Sequence, residues 1–246
     1  MDEVIENAFR KTTKILFGTA LTGLEQYKEW LLEHVEPTLE ASSVVSGEPV
    51  YAPSSLFFAD VLGNMVTMDE SLKLGEGSIS EEQAGEIRLS NASDILGRLR
   101  TTSPDVIFDR NSAITRCAAY MGSHYCMDSS YVGFSKYVAY CFWPRESEYV
   151  FGSVLLFSSS FCINCYHSTN LARCFELDNC SDCYFCHNCE NLSDCMFCFN
   201  TKAKKYAIGN VEVGKEEYER IKKLILGDLL NQLETKKKLG RNIYNL

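Results

Sequence analysis

Cysteines are the residues of this chain with the clearest capacity for chemistry. The 246 residues include 12 cysteines, many of them in Cys-x-x-Cys pairs. Such pairs can place two thiolates on one metal ion, as they do in zinc and iron–sulfur sites. One hypothesis is therefore a zinc ion or an iron–sulfur cluster. Its candidate ligands are Cys162, Cys165, Cys180, Cys183, Cys186, Cys189, Cys195 and Cys198.

The positions of the cysteines favour a different interpretation. All of them lie between Cys117 and Cys198, and every position is a multiple of three. Serine, valine and leucine occupy the same phase freely, as at Ser135, Val138 and Leu156. Metal ligands do not exchange with leucine, so cysteine here is favoured as a compact, buried core residue. Internal disulfides are the third alternative.

A repeat of three residues indicates a narrow β-solenoid. A plain strand has a period of two and an α-helix a period of 3.6, so neither fits. Short strands with frequent corners turn every third side chain inward, and the coils then stack through backbone hydrogen bonds. Asn, Asp or Glu recurs every six residues from Asn164 to Asn200 and suits left-handed corners.

This hexad favours coils of twelve or eighteen residues over fifteen. With eighteen, Cys162 and Cys165 lie below Cys180 and Cys183 and offer four thiolates. With twelve, one column forms instead, consisting of Cys162, Cys174, Cys186 and Cys198.

Aromatic residues form a second series at the sixth place of the hexad. They are Tyr125, Tyr131, Tyr137, Trp143 and Tyr149. Such rings either make an exposed stripe that binds a partner or are covered by the N-terminal helices, and the sequence leaves both open. His124, His167 and His187 lie outside the inward phase, so no Cys/His pair is expected and we predict no enzyme.

Composition places the chain in a reducing compartment. The first residues lack the features of a signal peptide, and no apolar run reaches the roughly 18 residues of a membrane span. We expect a soluble cytoplasmic protein without a membrane partner, with reduced or metal-bound thiols. The net charge of −9 argues against general nucleic-acid binding.

The segments outside the array have helical and short strand patterns. Apolar spacing and capping boxes predict helices over 3–17, over 22–37 and near Glu81. Short strands are expected at 50–52, 55–58 and 66–67, and 106–108 leads into the array. Afterwards we expect a last strand near 206–210 and, from about Lys215, an amphipathic helix that caps the open end or docks on another subunit.

The predicted fold class is thus mixed α and β, with a short cysteine-lined β-solenoid. We divide the chain into an α-rich N-terminal docking region (1–104), the solenoid (105–210) and a C-terminal amphipathic helix (211–246).

A sequence block at the end of the array resembles a known group of proteins. Cys195-x-x-Cys198 is followed by Asn200 and Lys202, then by Lys205-Tyr-Ala-Ile-Gly-Asn210 and Lys215-Glu-Glu-Tyr218. This block is similar to that of cysteine-rich C-x-x-C repeat proteins of uncultured bacteria and their viruses, mostly hypothetical proteins. It covers about 160–225, and Ala207 stands where a further cysteine is common. The resemblance implies a solenoid followed by a helix, and no activity.

The functional expectation is a non-enzymatic structural or assembly protein that uses a rigid solenoid as a scaffold. Its partners are other protein subunits in a larger assembly. The resemblance suggests incorporation in a virus particle, as a minor capsid or decoration component. The alternative is a zinc or iron–sulfur module with a regulatory or nucleic-acid-binding role.

Overall fold

A computed structural model describes residues 2–104, 110–169, 172–178 and 182–246. Cys180 and the segment 106–108 lie outside the described residues, and only the backbone of Cys174 is described. The helices are α1 (Asp2–Phe17), α2 (Lys28–Leu31), α3 (Leu56–Val61), α4 (Met68–Gly75), α5 (Glu81–Glu86), α6 (Ala92–Leu96) and α7 (Lys215–Lys236). Short 3₁₀ helices span Leu24–Tyr27, Leu62–Asn64 and Gly97–Arg100.

The strands form a two-stranded hairpin and one long ladder. The hairpin pairs β1 (Leu39–Ser42) with β2 (Pro49–Ala52). The ladder contains β3 (Ser112–Thr115), β4 (His124–Met127), β5 (Lys136–Ala139), β6 (Glu148–Phe151), β7 (Val154–Phe157), β8 (Ser160–Thr169), β9 (Ala172–Asp178), β10 (Cys183–Cys186), β11 (Ser193–Met196), β12 (Lys205–Ile208) and β13 (Val211–Glu212). Its pairs are parallel except β12–β13. The predicted β-solenoid, with helices before and after it, is confirmed.

Most described triplets of the solenoid contain one residue in the left-handed conformation. From Ala113 to Asn164 and from Asp182 to Gly209, every third residue has a positive φ of 45–59°. The next residue points into the lumen, as at Cys117 after Arg116. Asn164 and Asn200 confirm the prediction of left-handed corners.

Aromatic residues also take these corners, although the left-handed conformation costs about 1–2 kcal/mol for a residue with a Cβ. Stacking of aromatic rings along the solenoid offsets much of this conformational cost. Tyr137 and Tyr149 stack at 4.7 Å, as do Tyr149 and Phe161, and such pairs contribute about 0.5–1.5 kcal/mol each.

The register gives coils of twelve residues with one shorter step. Cys126 pairs with Val138, Val150 with Cys162, and Cys183 with Cys195, each twelve residues apart. Between β9 and β10 the offset is nine, because Tyr184 pairs with Phe175. The twelve-residue alternative is therefore correct for most coils, and the eighteen-residue alternative is wrong.

Short side chains with a donor fill the lumen because they complete the hydrogen bonding of the inward residues. The Ser135 hydroxyl donates to the carbonyl of Gly133 (2.8 Å) and accepts from the N–H of Ser147 in the next coil (3.1 Å). The same pattern recurs at the other lumen serines, for example Ser129. Cysteines take part less strongly, donating to a carbonyl two residues earlier, as Cys141 does to Ala139 (3.3 Å).

The N-terminal helices cover one side of the solenoid. Phe9 packs on Phe151 (5.3 Å) and Phe17 on Phe175 (5.0 Å), which joins α1 to the central coils in one hydrophobic core. Gly152 (φ +59°) allows this close approach. A Cβ there would lie 2.8 Å from the carbonyl oxygen of Leu31 and would also meet the Asn164 side chain.

Three of the local predictions for the N-terminal region were wrong. The segment 55–58 belongs to helix α3, because a short apolar run does not distinguish strand from helix. At 66–67 there is no strand but the start of α4, where Thr67 and Glu70 form a capping box. The helix over 22–37 is reduced to a 3₁₀ turn and the one-turn α2, since Gly23 is left-handed and Glu6 binds the N–H groups of Gly23 and Leu24 (both 2.8 Å).

Both ends of the solenoid are accompanied by other segments. At the first coil, Val50 of β2 and Met68 of α4 line a small cavity with Cys117 and Tyr120. At the last coil, β13 pairs with β12. The C-terminal helix α7 lies beside the last coils, with Tyr218 against Tyr206 (5.9 Å).

Candidate thiol site in the solenoid lumen

All ten cysteines whose side chains are described are buried in the lumen. Burial penalises the thiolate, so the pKa of Cys126 is raised and that of Cys141 is raised to about 12. These thiols are protonated at neutral pH and act as core residues with a weak hydrogen-bond donor. This agrees with the packing interpretation for the central coils.

The last two complete coils differ because four thiols meet there. The twelve-residue step from β10 to β11 places Cys183 under Cys195 and, three residues later, Cys186 under Cys198. Each thiol shifts the pKa of two others, one in its own Cys-x-x-Cys pair and one in the neighbouring coil. We call this set the thiol ring. Its members are Cys183, Cys186, Cys195 and Cys198, each with no exposed surface.

Backbone N–H groups of the following coil point at the sulfurs of the thiol ring. The N–H of Cys198 bonds the sulfur of Cys186, that of Ala207 bonds Cys195, and that of Asn210 bonds Cys198. They correspond to the N–H groups that donate to the hydroxyls of the lumen serines from the next coil, as Ser147 does to Ser135. Hydrogen bonds to the charged form favour a thiolate, so the site has a source of stabilisation that does not depend on water.

The four thiols do not titrate alike. Contacts with Cys186 and Cys195, together with burial, raise the pKa of Cys183. The pKa of Cys198 is lowered, because Cys186 and Cys195 donate to it and the Lys204 charge lies nearby.

The other predicted ligands do not join the thiol ring. Cys162 and Cys165 lie above Val150 and Ser153, and one coil separates them from Cys183 and Cys186. Cys189 lies in the lumen beside the ring and donates to the carbonyls of His187 (3.2 Å) and Cys198 (3.3 Å). In the conformation described, no three His, Cys, Asp or Glu side chains among the described residues are arranged to hold a metal ion.

The five predicted surface aromatics lie on two faces. Since a hexad is half of a twelve-residue coil, successive members alternate between opposite corners. Tyr125, Tyr137 and Tyr149 form one stacked series beside α1, where Lys11 lies 4.4 Å from the Tyr149 ring. Tyr131 and Trp143 lie on the opposite side, where Phe58 and Ser55 contact Tyr131. All five are half-buried, so they do not form one exposed stripe.

Two of the predicted outward histidines, His124 and His187, are described and are half-buried. His124 bonds Ser112 on the outer surface (2.7 Å). The side chain of His167 lies outside the described residues. Cysteine sulfurs meet these two histidines at the backbone, where Cys126 donates to the carbonyl of His124 (3.4 Å) and Cys189 to that of His187 (3.2 Å).

Sequence reasoning did not find a charged cluster beside the first coils. Arg116 pairs bidentately with Asp128 (2.7 and 2.6 Å), and Tyr140 donates to Glu25 (2.7 Å). The Asp128 hydrogen bonds raise the pKa of Arg116. Arg116, Glu25 and Lys28 border a cavity of about 600 Å³ beside the start of α1. The twelve-residue spacing of 116, 128 and 140 would have placed them in one column, had the coil length been known.

The fold and the lumen define a class of protein: a β-solenoid with serine and cysteine side chains packed along its axis. No protein-family model, curated protein or solved structure matches the chain. No helix in the described parts of the chain is long and apolar enough to cross a membrane.

Proposed function

We propose that this protein is a non-enzymatic scaffold in a larger assembly, with copies of the same chain among the subunits it joins. The solenoid supplies a rigid body, since its inward side chains are buried and its coils are linked by continuous backbone pairing. The buried, protonated thiols of the central coils support a packing role for most of the array. The virus particle as a setting rests on the sequence resemblance alone.

The observation that best supports this proposal is a segment, residues 71–100, that contributes nothing to the core. Residues 71–100 contain no buried residue, although they form most of α4 and all of α5 and α6. Leu89 is 99% exposed and Leu72 is 64% exposed. The segment is fixed at its base, where Met65 pairs with Thr102. A well-anchored segment with exposed leucines is suited to bury them against another subunit.

Sedimentation velocity of the full chain over a range of concentrations tests this function. We expect species larger than the monomer in the wild type, and a monomer in the double variant Leu72→Glu with Leu89→Glu. Leu224→Glu is the matched control, because Leu224 is 58% exposed on α7 and lies outside the segment. A wild type that stays monomeric at every concentration, or a double variant that assembles like the wild type, would contradict the proposal.

A further inference from the structure

One side of the solenoid remains exposed over three successive coils. Gly133, Arg145 and Phe157 lie one above another there, and each is followed by a left-handed corner residue. Phe134 is 51% exposed and Phe157 is 38% exposed. We call this surface the open side, and it consists of Gly133, Phe134, Arg145, Glu146, Phe157 and Ser158.

The open side contains a cavity of about 250 Å³, which is large enough for one leucine side chain. Its lining is mainly apolar and includes Met121, Tyr131 and Phe134. Gly133 leaves room at the cavity, because a Cβ there would lie 3.4 Å from the Cγ of Arg145. The guanidinium of Arg145 lies 5.4 Å from the ring of Trp143, and no described carboxylate forms an ion pair with it. The cavity thus combines apolar walls with one available cation.

Phe134 has a backbone conformation that its own chain does not compensate. Its φ is +48°, which is unfavourable for a residue with a Cβ. Tyr137 and Tyr149 stack on each other at such corners, whereas the neighbours of Phe134 in its column are Gly122 and Glu146. An exposed aromatic ring in an unfavourable conformation is typical of a surface that binds a partner.

Leu89 in the segment 71–100 has the shape and surroundings that this cavity requires. It is 99% exposed and lies in a turn that the side chain of Asn91 holds. The Asn91 amide accepts from the N–H of Arg88 (2.6 Å) and donates to the carbonyl of Glu86 (3.2 Å). A turn that is already ordered loses little entropy on binding. The exposed carboxylate of Glu86 lies three residues before Leu89.

We propose that Leu89 of one copy inserts into the cavity on the open side of a second copy, where Glu86 pairs with Arg145. This inference rests on the proposed scaffold function and names the surface that receives its exposed segment. A leucine meets apolar walls, and an acidic side chain meets the available cation. The two contacting surfaces differ, so the contact is heterologous, and one copy can use both surfaces to join its neighbours.

Sedimentation velocity of two single variants of the full chain, alone and mixed, tests the inference. Leu89→Glu replaces the inserted side chain. Phe134→Asn removes a wall of the cavity and introduces a residue that tolerates the left-handed corner. Each variant should stay monomeric at concentrations where the wild type assembles. An equimolar mixture should form a dimer, because the first variant supplies an intact cavity and the second an intact Leu89.

A control and an exchange of charges complete the test. Val211→Asn should assemble like the wild type, because Val211 is 62% exposed on β13 and lies outside both surfaces. Arg145→Glu should raise the dissociation constant of the assembly at least about tenfold, since it places two carboxylates together. Adding Glu86→Arg to the same chain should restore most of the affinity.

Thermal unfolding separates the contact between copies from the fold of one copy. At a concentration where the wild type is monomeric, Phe134→Asn should keep or raise Tm, because asparagine fits the corner better than phenylalanine. A fall in Tm would show that Phe134 packs within its own chain and would overturn the inference.

Three results of the association experiments would also overturn it. They are wild-type assembly of Phe134→Asn, a mixture that stays monomeric, and charge exchange without recovery of affinity. In each case the scaffold function stands as long as the wild type assembles. A wild type that is monomeric at every concentration would instead refute the scaffold function itself.

Discussion

Replacing Ser135 by alanine tests whether the lumen hydroxyls hold the coils together. The Ser135 hydroxyl is fully buried and is the acceptor for the N–H of Ser147. Alanine removes this acceptor while leaving the Cβ in place. The carbonyl of Gly133 loses one donor but keeps the N–H of Glu146 (2.8 Å), so the main loss is at Ser147.

The expected magnitude follows from one buried N–H that loses its acceptor. Such a group costs about 1–3 kcal/mol, so we expect the free energy of unfolding to fall by about 2 kcal/mol. For a chain of this size, this corresponds to a fall in Tm of about 4–8 °C. Ser135→Cys should lose less, because sulfur accepts N–H groups elsewhere in the lumen, for example at Cys141.

Urea unfolding followed by circular dichroism measures the effect. Ser158→Ala is the control, because Ser158 is an exposed corner residue whose hydroxyl bonds only an exposed carboxylate, Glu146, at 3.2 Å. It should change stability by no more than about 0.5 kcal/mol. If Ser135→Ala is as stable as this control, lumen hydroxyls act only as small fillers and our account of the ladder is wrong.

Three further predictions concern helix docking and the thiols. Gly152→Ala should lower Tm more than Gly209→Ala, because both glycines have positive φ but only the Cβ at Gly152 meets other atoms; equal shifts in a thermal scan would contradict the close approach. Tyr184→Phe should cost about 1 kcal/mol in urea unfolding, since its hydroxyl donates to the buried carbonyl of Leu16 (2.7 Å); an unchanged midpoint would argue against it. The free energy of unfolding should fall as pH rises above about 8.5. Above that pH the Cys141 thiol ionises in the unfolded chain but stays protonated in the folded chain, where its pKa is about 12. The slope is up to about 1.4 kcal/mol per pH unit for each such thiol, and unfolding curves that do not change between neutral and alkaline pH would refute it.

The period of three was sufficient to predict the lumen. Cys126, Val138 and Val150 could be assigned to the interior because side-chain size and phase repeat together. The left-handed aromatic corners could not be predicted in the same way. A tyrosine with positive φ is unfavourable on its own, and the stacking that offsets it depends on a neighbour twelve residues away.

The thiol ring could not be singled out because the sequence left the coil length open. A twelve-residue coil places Cys183 under Cys195 and Cys186 under Cys198, whereas an eighteen-residue coil places Cys180 and Cys183 over Cys162 and Cys165 instead. The capping box at Thr67 and Glu70, by contrast, was visible in the sequence. It was overlooked because the preceding Val66 favoured a strand.

The nine-residue step also has a consequence for how such a chain can evolve. A twelve-residue coil has four triplets, so omitting one rotates all later residues by a quarter turn about the axis while each inward position stays inward. Phe185 and Phe197, which continue the hexad's aromatic series, are thereby moved onto the corner occupied earlier by Asn164, where Leu229 and Leu239 of the C-terminal segment meet them. Deletion or duplication of three codons can thus redirect a surface to a new neighbour without redesigning the interior. In such a fold, the sequence pattern of the inward residues can stay the same while the outward residues turn to face a different neighbour.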